Sequence, residues 1–340
     1  MTKAKVGING FGRIGRLFFR QIFDAPEVEI VAINDLGNLD NLAYLLKYDT
    51  TYRRYEKSVE VKDGNLVVDG RIIKVLQVKD PALLPWKDLG VDIAVESTGF
   101  FEEYEKAKAH ITAGAKRVII TAPAKDPDGV EGKTVLMGVN ENELQTVVLT
   151  SNGSCTTNSA SPVIQIMSEN PGIMKAVLST VHGYTTTQNL ADGPTKGHDF
   201  RRGRAAAANI VPSTTGAAIA VARAIPELAG KFDGLAFRVP VLTGSIADIT
   251  FLAKRKTSVE EINDIFRKAA QEPRWAGIFS VVEDPVVSSD IIGLPFGAVA
   301  DLNYTKVIDG DLVKVLSWYD NEWGYVSTLV KHVKNVASII

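Results

Sequence analysis

KVGINGFGRIGR, residues 5–16, sets the first element of the fold. A short apolar strand, Lys5–Asn9, runs into Gly10, Gly12 and Gly15 at GxGxxG spacing, and an apolar helix follows through Leu17, Phe18 and Ile22. The first glycine permits a tight turn, the second lets a pyrophosphate approach the backbone, and the third lets helix pack on strand. Unpaired amides at the helix start bind anions. A second apolar strand, EIVAIND (29–35), ends in Asp35, twenty residues beyond Gly15. A carboxylate at that spacing accepts hydrogen bonds from the adenosine ribose and repels a 2′-phosphate.

Outward from this stretch, strand-like runs recur at Ile72–Val75, Ile93–Glu96, Val118–Thr121 and Val147–Thr150, with helical segments such as Tyr104–Ala113 between some of them. This alternation predicts an α/β, doubly wound, mostly parallel sheet with ligands at the carboxyl ends of its strands. EKSVEVKDGNLVVDGRII (56–73) differs: alternating runs around Asp63-Gly64-Asn65 and a second Asp-Gly at 69–70 predict antiparallel hairpins. Beyond residue 155 longer strands appear (Ala176–Val181, Gly234–Pro240, Ala247–Lys254, Leu312–Tyr319), with helices expected at Thr214–Ile225 and Ser258–Glu272. That pattern reads as an α+β domain, an antiparallel or mixed sheet covered on one face by helices. Gln188–Arg204 is polar and Gly-rich, a long surface loop by composition. Val326–Ile340 has helical periodicity.

A length of 340 residues suits two domains. Hydrophobic content of 45% and charged content of 23% are ordinary for a soluble globular protein, and a net charge of −2 gives no reason to expect nucleic acid or an anionic membrane as partner. No apolar run reaches the ~20 residues that span a bilayer. The N-terminus reads without a signal peptide. The single cysteine excludes an internal disulfide, zinc spacings are absent, and no metal is expected. A cytoplasmic location is the expectation.

That cysteine lies in SNGSCTTNS (151–159), after an apolar run and before a segment, Ser159–Ser168, that reads as a helix with Val163, Ile164 and Met167 on one face. Cys155 is therefore expected at a helix N-terminus, where the macrodipole favours the thiolate and lowers its pKa. A thiolate attacks carbonyls. Of the four histidines, His110 and His332 are expected in helices and exposed, His198 in the long loop, and His182 at a strand end.

NGFGRIGR, LLKYD, ESTGFF, SCTTN, TVHGYT, GRAAA, STTGAA, FRVP, DPVVSSD and SWYDNEWGY occur in this order along essentially the whole chain. The sequence thereby resembles the phosphorylating glyceraldehyde-3-phosphate dehydrogenases. The resemblance implies a Rossmann-type dinucleotide-binding domain over 1–154, a catalytic domain over 155–322, and a C-terminal helix, 323–340, returning to the first. It implies NAD as cofactor, glyceraldehyde 3-phosphate and inorganic phosphate as substrates, a homotetramer, and a long loop that crosses a subunit interface. Cys155 would be the nucleophile and His182 its proton partner and the donor to the oxyanion. Thr185, Thr187 and Arg238 would hold the substrate phosphate; Ser154, Thr156, Thr215, Gly216 and Arg204 would hold the attacking one. Asn9, Gly10, Gly12, Arg13, Ile14 and Asp35 would serve the pyrophosphate and adenosine, and Lys79 the adenine side, where many relatives carry an arginine. Thr121, Asn321 and Tyr325 would serve the nicotinamide half.

Three departures stand out: Ser159 replaces a second cysteine common in the family, Tyr52-Arg53 replaces a His-Gly pair, and LPFGAVADL (294–302) is unusually apolar. Two rival readings are an erythrose-4-phosphate dehydrogenase of the same fold and a non-catalytic NAD-binding regulator. STTGAA and TVHGYT speak against the first, and the joint presence of Cys155, His182 and Arg238 against the second.

Overall fold

The computed structural model describes residues 3–195 and 198–340, so Lys196 and Gly197 of the long loop and the first two residues of the 1–154 domain lie outside the described residues. Two compact units form: one of 3–137 with Glu141–Gly153 and Leu329–Ile340, the other of Gly138–Asn140 with Ser154–Thr328.

In the first unit the order is β1 (Ala4–Asn9), α1 (Arg13–Ile22), β2 (Val28–Asn34), α2 (Leu39–Lys47), β3 (Tyr48–Asp49), β4 (Arg53–Arg54), β5 (Val59–Lys62), β6 (Asn65–Val68) and β7 (Arg71–Leu76). Then come α3 (Trp86–Leu89), β8 (Ile93–Glu96), α4 (Tyr104–Ala107), α5 (Ala109–Thr112), β9 (Arg117–Ile120), β10 (Gly132–Thr134) and β11 (Leu149–Ser151). Nine strands make one sheet in the order β10-β11-β9-β8-β1-β2-β7-β6-β5. The pairs from β10 through to β7 are parallel. Buried β-branched side chains, Val6, Ile8, Ile93, Val95 and Ile119 among them, explain the near-continuous apolar runs of these strands. The chain steps from β1 to β2 on one side and returns to β8 on the other, so the sheet reverses at the carboxyl end of β1.

The antiparallel β5-β6-β7 meander is turned by Asp63-Gly64 and Asp69-Gly70, with φ of 51° and 72°, then 46° and 77°. Positive φ at both central residues is the primed hairpin geometry that the Asp-Gly pairs signal. The helix expected over Tyr104–Ala113 divides at Lys108 into two short pieces. His110, expected exposed, is fully buried because its ring is bonded on both sides, to Trp86 and to Glu96.

In the second unit follow α6 (Cys155–Glu169), β12 (Ile173–Gly183), β13 (Val211–Thr214), α7 (Ala217–Ala224), β14 (Phe232–Val239), β15 (Ser245–Ala253), α8 (Val259–Ala269), β16 (Phe279–Val282), β17 (Ala298–Ile308) and β18 (Leu312–Tyr319). A final helix, α9 (Trp323–Ala337), starts in this unit and belongs from Leu329 onward to the first. The sheet order is β13-β14-β12-β15-β18-β17-β16. It is mixed rather than purely antiparallel, because β12 pairs β14, and β16 pairs β17, in parallel. The Thr214–Ile225 expectation misplaced its first residues: Val211–Thr214 form an edge strand, where Pro212 is tolerated, and the helix begins at Ala217.

One face of this sheet carries Leu178, Ala236, Ile249, Phe251 and Val313, all buried, under α6, α7 and α8. The opposite face shows Val177, Leu235 and Leu312 to solvent at 51%, 42% and 40% exposure. His332, also expected exposed, is fully buried in the first unit, since its ring lies between Thr150 Oγ1 and Asn152 Oδ1 at 3.0 Å each. No helix among the described residues is long and apolar enough to cross a membrane.

Candidate active site

Strand register assembles the core of the site in the second unit. In the parallel pair β12–β14, His182 stands opposite Arg238, on the face that α6 covers. The helix lies on the same face of β18: Thr156 Oγ1 meets the Tyr319 hydroxyl at 2.9 Å and, one turn on, Ser159 Oγ meets Ser317 Oγ at 3.0 Å. Residues three apart on a helix thus match residues two apart on a strand. Ser154 caps α6, its hydroxyl accepting from the Thr157 amide at 3.1 Å. Cys155 is therefore the first helical residue, and its Sγ lies 3.2 Å from His182 Nε2.

Burial works against the lowered thiol pKa expected at a helix terminus. Burial pushes the Cys155 thiol up, and the Arg238 charge and Thr156 amide pull back without offsetting it. Burial, with Arg238 second, lowers the His182 ring to about 3, so the imidazole is neutral near pH 7. The Cys155 thiol faces the His182 ring. Its proton can move along the 3.2 Å contact when the sulfur attacks.

Tyr319 frames this pair. Its ring packs edge-to-face with the His182 ring at 5.8 Å, and its hydroxyl joins Thr156 and Thr180. A further chain runs from the Gly183 amide to Ser245 Oγ at 3.1 Å and from Ser245 Oγ to Asn321 Oδ1 at 2.8 Å. Asn321 Oδ1 is thereby fixed as an acceptor, which directs its amide nitrogen to donate elsewhere. Tyr325 is buried in the first turn of α9.

Thr185 and Thr187 stand beyond the end of β12 with hydroxyls 3.0 Å apart. Thr215 accepts from the Ala217 amide, next to Gly216 at the start of α7. Arg204 instead pairs with Asp192 at 2.9 Å on an exposed part of the loop. An open cleft lined by Thr187, Asn189 and Thr214 takes Arg202, whose guanidinium donates to Ser213 Oγ at 2.7 and 3.0 Å. Arg202, Tyr319 and Ser245 are site neighbours that motif reading missed. The strand alternation of STTG and SWYDN turns Ser213 and Tyr319 toward this site, and no sequence signal marked Ser245.

In the first unit the carboxyl ends of β1, β2, β8 and β9 carry Asn9, Asn34, Glu96 and, just beyond, Thr121. Gly10 has φ +94° with Thr98 N 2.6 Å from where a Cβ would be, and a Cβ on Gly15 would sit 2.2 Å from Gly10 O. A Cβ on Gly12 would meet nothing within 4 Å. Two glycines thus close the turn, and the third leaves open the cradle at the α1 start that a pyrophosphate fits. The Asp35 carboxylate accepts from the Phe11 amide at 2.6 Å and the Gly37 amide at 2.8 Å, which ties it to this turn. Arg13, followed by Ile14 in the first turn of α1, forks onto Asp49 at 2.6 and 3.2 Å and lies over the Tyr52 ring at 5.6 Å. Tyr52 thus contributes to the Arg13 end of the turn. Lys79 is exposed beside Val78, whose amide Asn34 holds.

Asn9 does not face the turn with a free side chain. Its Nδ2 donates to Glu96 Oε2 at 2.6 Å and its Oδ1 accepts from Asn34 Nδ2 at 2.7 Å, in a buried network that continues to His110 and Trp86. The indole donates to His110 Nδ1, so the His110 proton sits on Nε2 and points to Glu96. This network fixes the strand ends beneath the glycine turn.

Comparison with known proteins gives a consistent result. Residues 4–104 match the model of the glyceraldehyde 3-phosphate dehydrogenase NAD binding domain, and residues 154–321 that of the glyceraldehyde 3-phosphate dehydrogenase C-terminal domain. A glyceraldehyde-3-phosphate dehydrogenase of Thermotoga maritima is 54% identical over 330 residues, covering 96% of this chain and 97% of the relative. Those of Clostridium pasteurianum and Streptomyces coelicolor are 47% and 48% identical, over 98% and 96% of this chain and 99% and 96% of theirs.

Proposed function

The chain belongs to the glyceraldehyde-3-phosphate dehydrogenase family, and from that premise we propose that it oxidises glyceraldehyde 3-phosphate to 1,3-bisphosphoglycerate through Cys155. The observation that carries this reading is the Cys155–His182 contact at the start of α6. Sulfur adds to the aldehyde carbon while its proton passes to His182 Nε2, which then donates to the oxygen and leaves a thiohemiacetal. NAD, when bound, supplies the acceptor for the hydride that leaves this adduct. His182 takes the hydroxyl proton as the thioester forms, and its Nε2–H stabilises the oxyanion. A phosphate oxygen then attacks the thioester carbon, the C–S bond breaks, and the sulfur is restored as an acyl phosphate departs.

Arg238, Thr185 and Thr187 suit the substrate phosphate, because a guanidinium fork and two hydroxyls donate without competing as nucleophiles. Ser154, Thr156, Thr215, Gly216 and Arg204 are assigned to the attacking phosphate. Thr156 contributes there through its amide, since its hydroxyl is engaged by Tyr319. Gly10, Gly12, Arg13, Ile14 and Asp35 serve the pyrophosphate and adenosine, Asn9 supports them from below, and Lys79, Thr121, Asn321 and Tyr325 complete the cofactor set. A dinucleotide-binding domain over 1–154 with helix 323–340, a catalytic domain over 155–322 and a cytoplasmic location belong to the same reading. So does a homotetramer, which the uncovered apolar sheet face at Val177, Leu235 and Leu312 favours.

The test is NADH formation from glyceraldehyde 3-phosphate with and without inorganic phosphate. Sustained turnover is expected only with phosphate, and Cys155→Ser is expected to abolish it, since a serine hydroxyl is a poor nucleophile near neutral pH. Near-normal turnover by the serine variant overturns the mechanism.

A further inference from the structure

Asn321 lies buried two residues beyond β18, and its two amide atoms stand in different situations. Oδ1 lies 2.8 Å from Ser245 Oγ and 3.1 Å from Thr243 Oγ1. Nδ2 meets no acceptor among the described residues. It is a donor available to a ligand. A side-chain amide can flip, exchanging oxygen for nitrogen with little change of shape, so its neighbours must choose its direction.

Thr243 does not choose. Its hydroxyl also lies 2.9 Å from Asp320 Oδ1. It can donate to that carboxylate and accept from a flipped Nδ2, so either direction satisfies it. A hydrogen bond to a carboxylate is stronger than one to an amide oxygen, which favours the Asp320 side. Asp320 is itself fixed by the Glu322 and Trp323 amides at 2.9 Å each and the Gly293 amide at 2.8 Å. Ser245 is different. Fully buried at the start of β15, its oxygen accepts from the Gly183 amide at 3.1 Å. Its one hydroxyl proton has Asn321 Oδ1 as its acceptor and no other among the described residues. A flipped Asn321 would turn Nδ2 toward Ser245 and strand that proton in the interior, which disfavours the flip by about tenfold or more.

We propose that Ser245 sets the direction of the Asn321 amide and so makes Asn321 a donor to the carbonyl oxygen of the nicotinamide carboxamide. The inference rests on the assignment of Asn321 to the nicotinamide half of the cofactor and adds Ser245 as a positioning residue. Asn321 then reads the oxygen of the carboxamide and not its NH2 group. Because the same hydroxyl holds the Gly183 amide, one side chain ties this anchor to the strand end that carries His182.

The experiment measures, by calorimetry on the full chain, the binding of NAD and of 3-acetylpyridine adenine dinucleotide. The analogue keeps the carbonyl and carries a methyl where the carboxamide has NH2. The quantity read is the ratio of the two dissociation constants. In Ser245→Ala nothing opposes the flip, and Thr243 draws Nδ2 while it donates to Asp320. Asn321 then presents its oxygen. A carboxamide can meet that oxygen by turning its NH2 group toward it, and an acetyl group cannot. The ratio should move about tenfold against the analogue, relative to the native chain. Ser245→Cys, a weaker donor, should move it the same way by less, and it decides the matter if the alanine variant does not fold. Thr243→Val should keep the native ratio. A merely structural loss weakens both ligands alike and leaves the ratio where it was. An unchanged ratio in the Ser245 variants, or an equal shift in Thr243→Val, overturns the proposal. Asn321→Ala separates that result from a failure of the assignment. Weaker binding of both ligands keeps Asn321 at the nicotinamide, and native affinity for both overturns the assignment and the proposal together.

Discussion

Tyr319 shapes the site through its hydroxyl, which bonds Thr156 and Thr180, and through its ring, which packs against His182. Burial raises its phenol pKa well above the usual value, so it stays neutral, accepting from one threonine hydroxyl and donating to another. Thr156 Oγ1 bonds the Tyr319 hydroxyl, whereas Thr180 can also donate to the Ile246 carbonyl at 3.2 Å. Tyr319→Phe keeps the ring packed on His182 and removes both bonds. The expected cost is about 1–3 kcal/mol, because a buried hydroxyl is left without a partner. Urea unfolding measures it, and a variant as stable as the native chain would show that the Thr156 hydroxyl finds another partner at no cost. The same residue shows why motif reading stopped short: SWYDNEWGY marked Asn321, yet Tyr319 gains its role only from the register of α6 on β18. Ser159 belongs to that register too. It binds Ser317 and leaves Cys155 the only thiol in the chain.

Elements with strict local signatures were legible from sequence. The glycine turn before α1, the two Asp-Gly hairpins and the strand alternation around β8 and β9 each follow from backbone sterics or side-chain period. Elements whose form depends on distant packing were not. β10 is too short to show a period, and its Gly132 is required because a Cβ would lie 2.3 Å from the Tyr104 ring. His110 and His332 read as exposed because helix neighbours are polar, while their partners Glu96, Trp86, Thr150 and Asn152 come from other elements that the helix pattern does not show. The β3–β4 hairpin lies between these cases. Arg53 takes the Gly position of the usual pair and holds φ at +62°, a left-handed conformation that costs a side-chain residue about 1 kcal/mol or more. Its side chain is exposed. Arg53→Gly should therefore stabilise the chain by roughly 0.5 kcal/mol, after the extra unfolded-state entropy of glycine is subtracted. Gly64→Ala, at φ +72° in the neighbouring meander, should destabilise by about 1 kcal/mol. Urea midpoints of the two variants should move in opposite directions, and a shared direction would remove φ as the cause.

At the scale of the whole molecule, each unit buries a neutral imidazole: His182 in the second and His332 in the first. Burial lowers both rings from 6.5 to about 3. In the unfolded chain each takes up a proton near its ordinary pKa, but in the folded chain neither does until far lower pH. The unfolded state therefore binds more protons throughout this window. Folding stability is full above pH 6.5 and declines as pH falls toward about 3, by up to about 1.4 kcal/mol per pH unit for each ring. The informative range is roughly pH 6.5 to 5, where ordinary carboxylates remain ionised and add little to the slope. His332 donates from Nδ1 to Asn152 and accepts at Nε2 from Thr150, so a second proton would have to turn the Thr150 hydroxyl from donor to acceptor and place a charge in a fully buried position. Unfolding free energies measured across that range at fixed protein concentration should fall steeply with acid. His332→Gln, which can keep one of the two bonds without titrating, should start less stable at pH 7 and lose stability about half as steeply below pH 6.5. Equal slopes in the two proteins would mean that the His332 ring is protonated inside the fold, contrary to its dry, fully bonded setting.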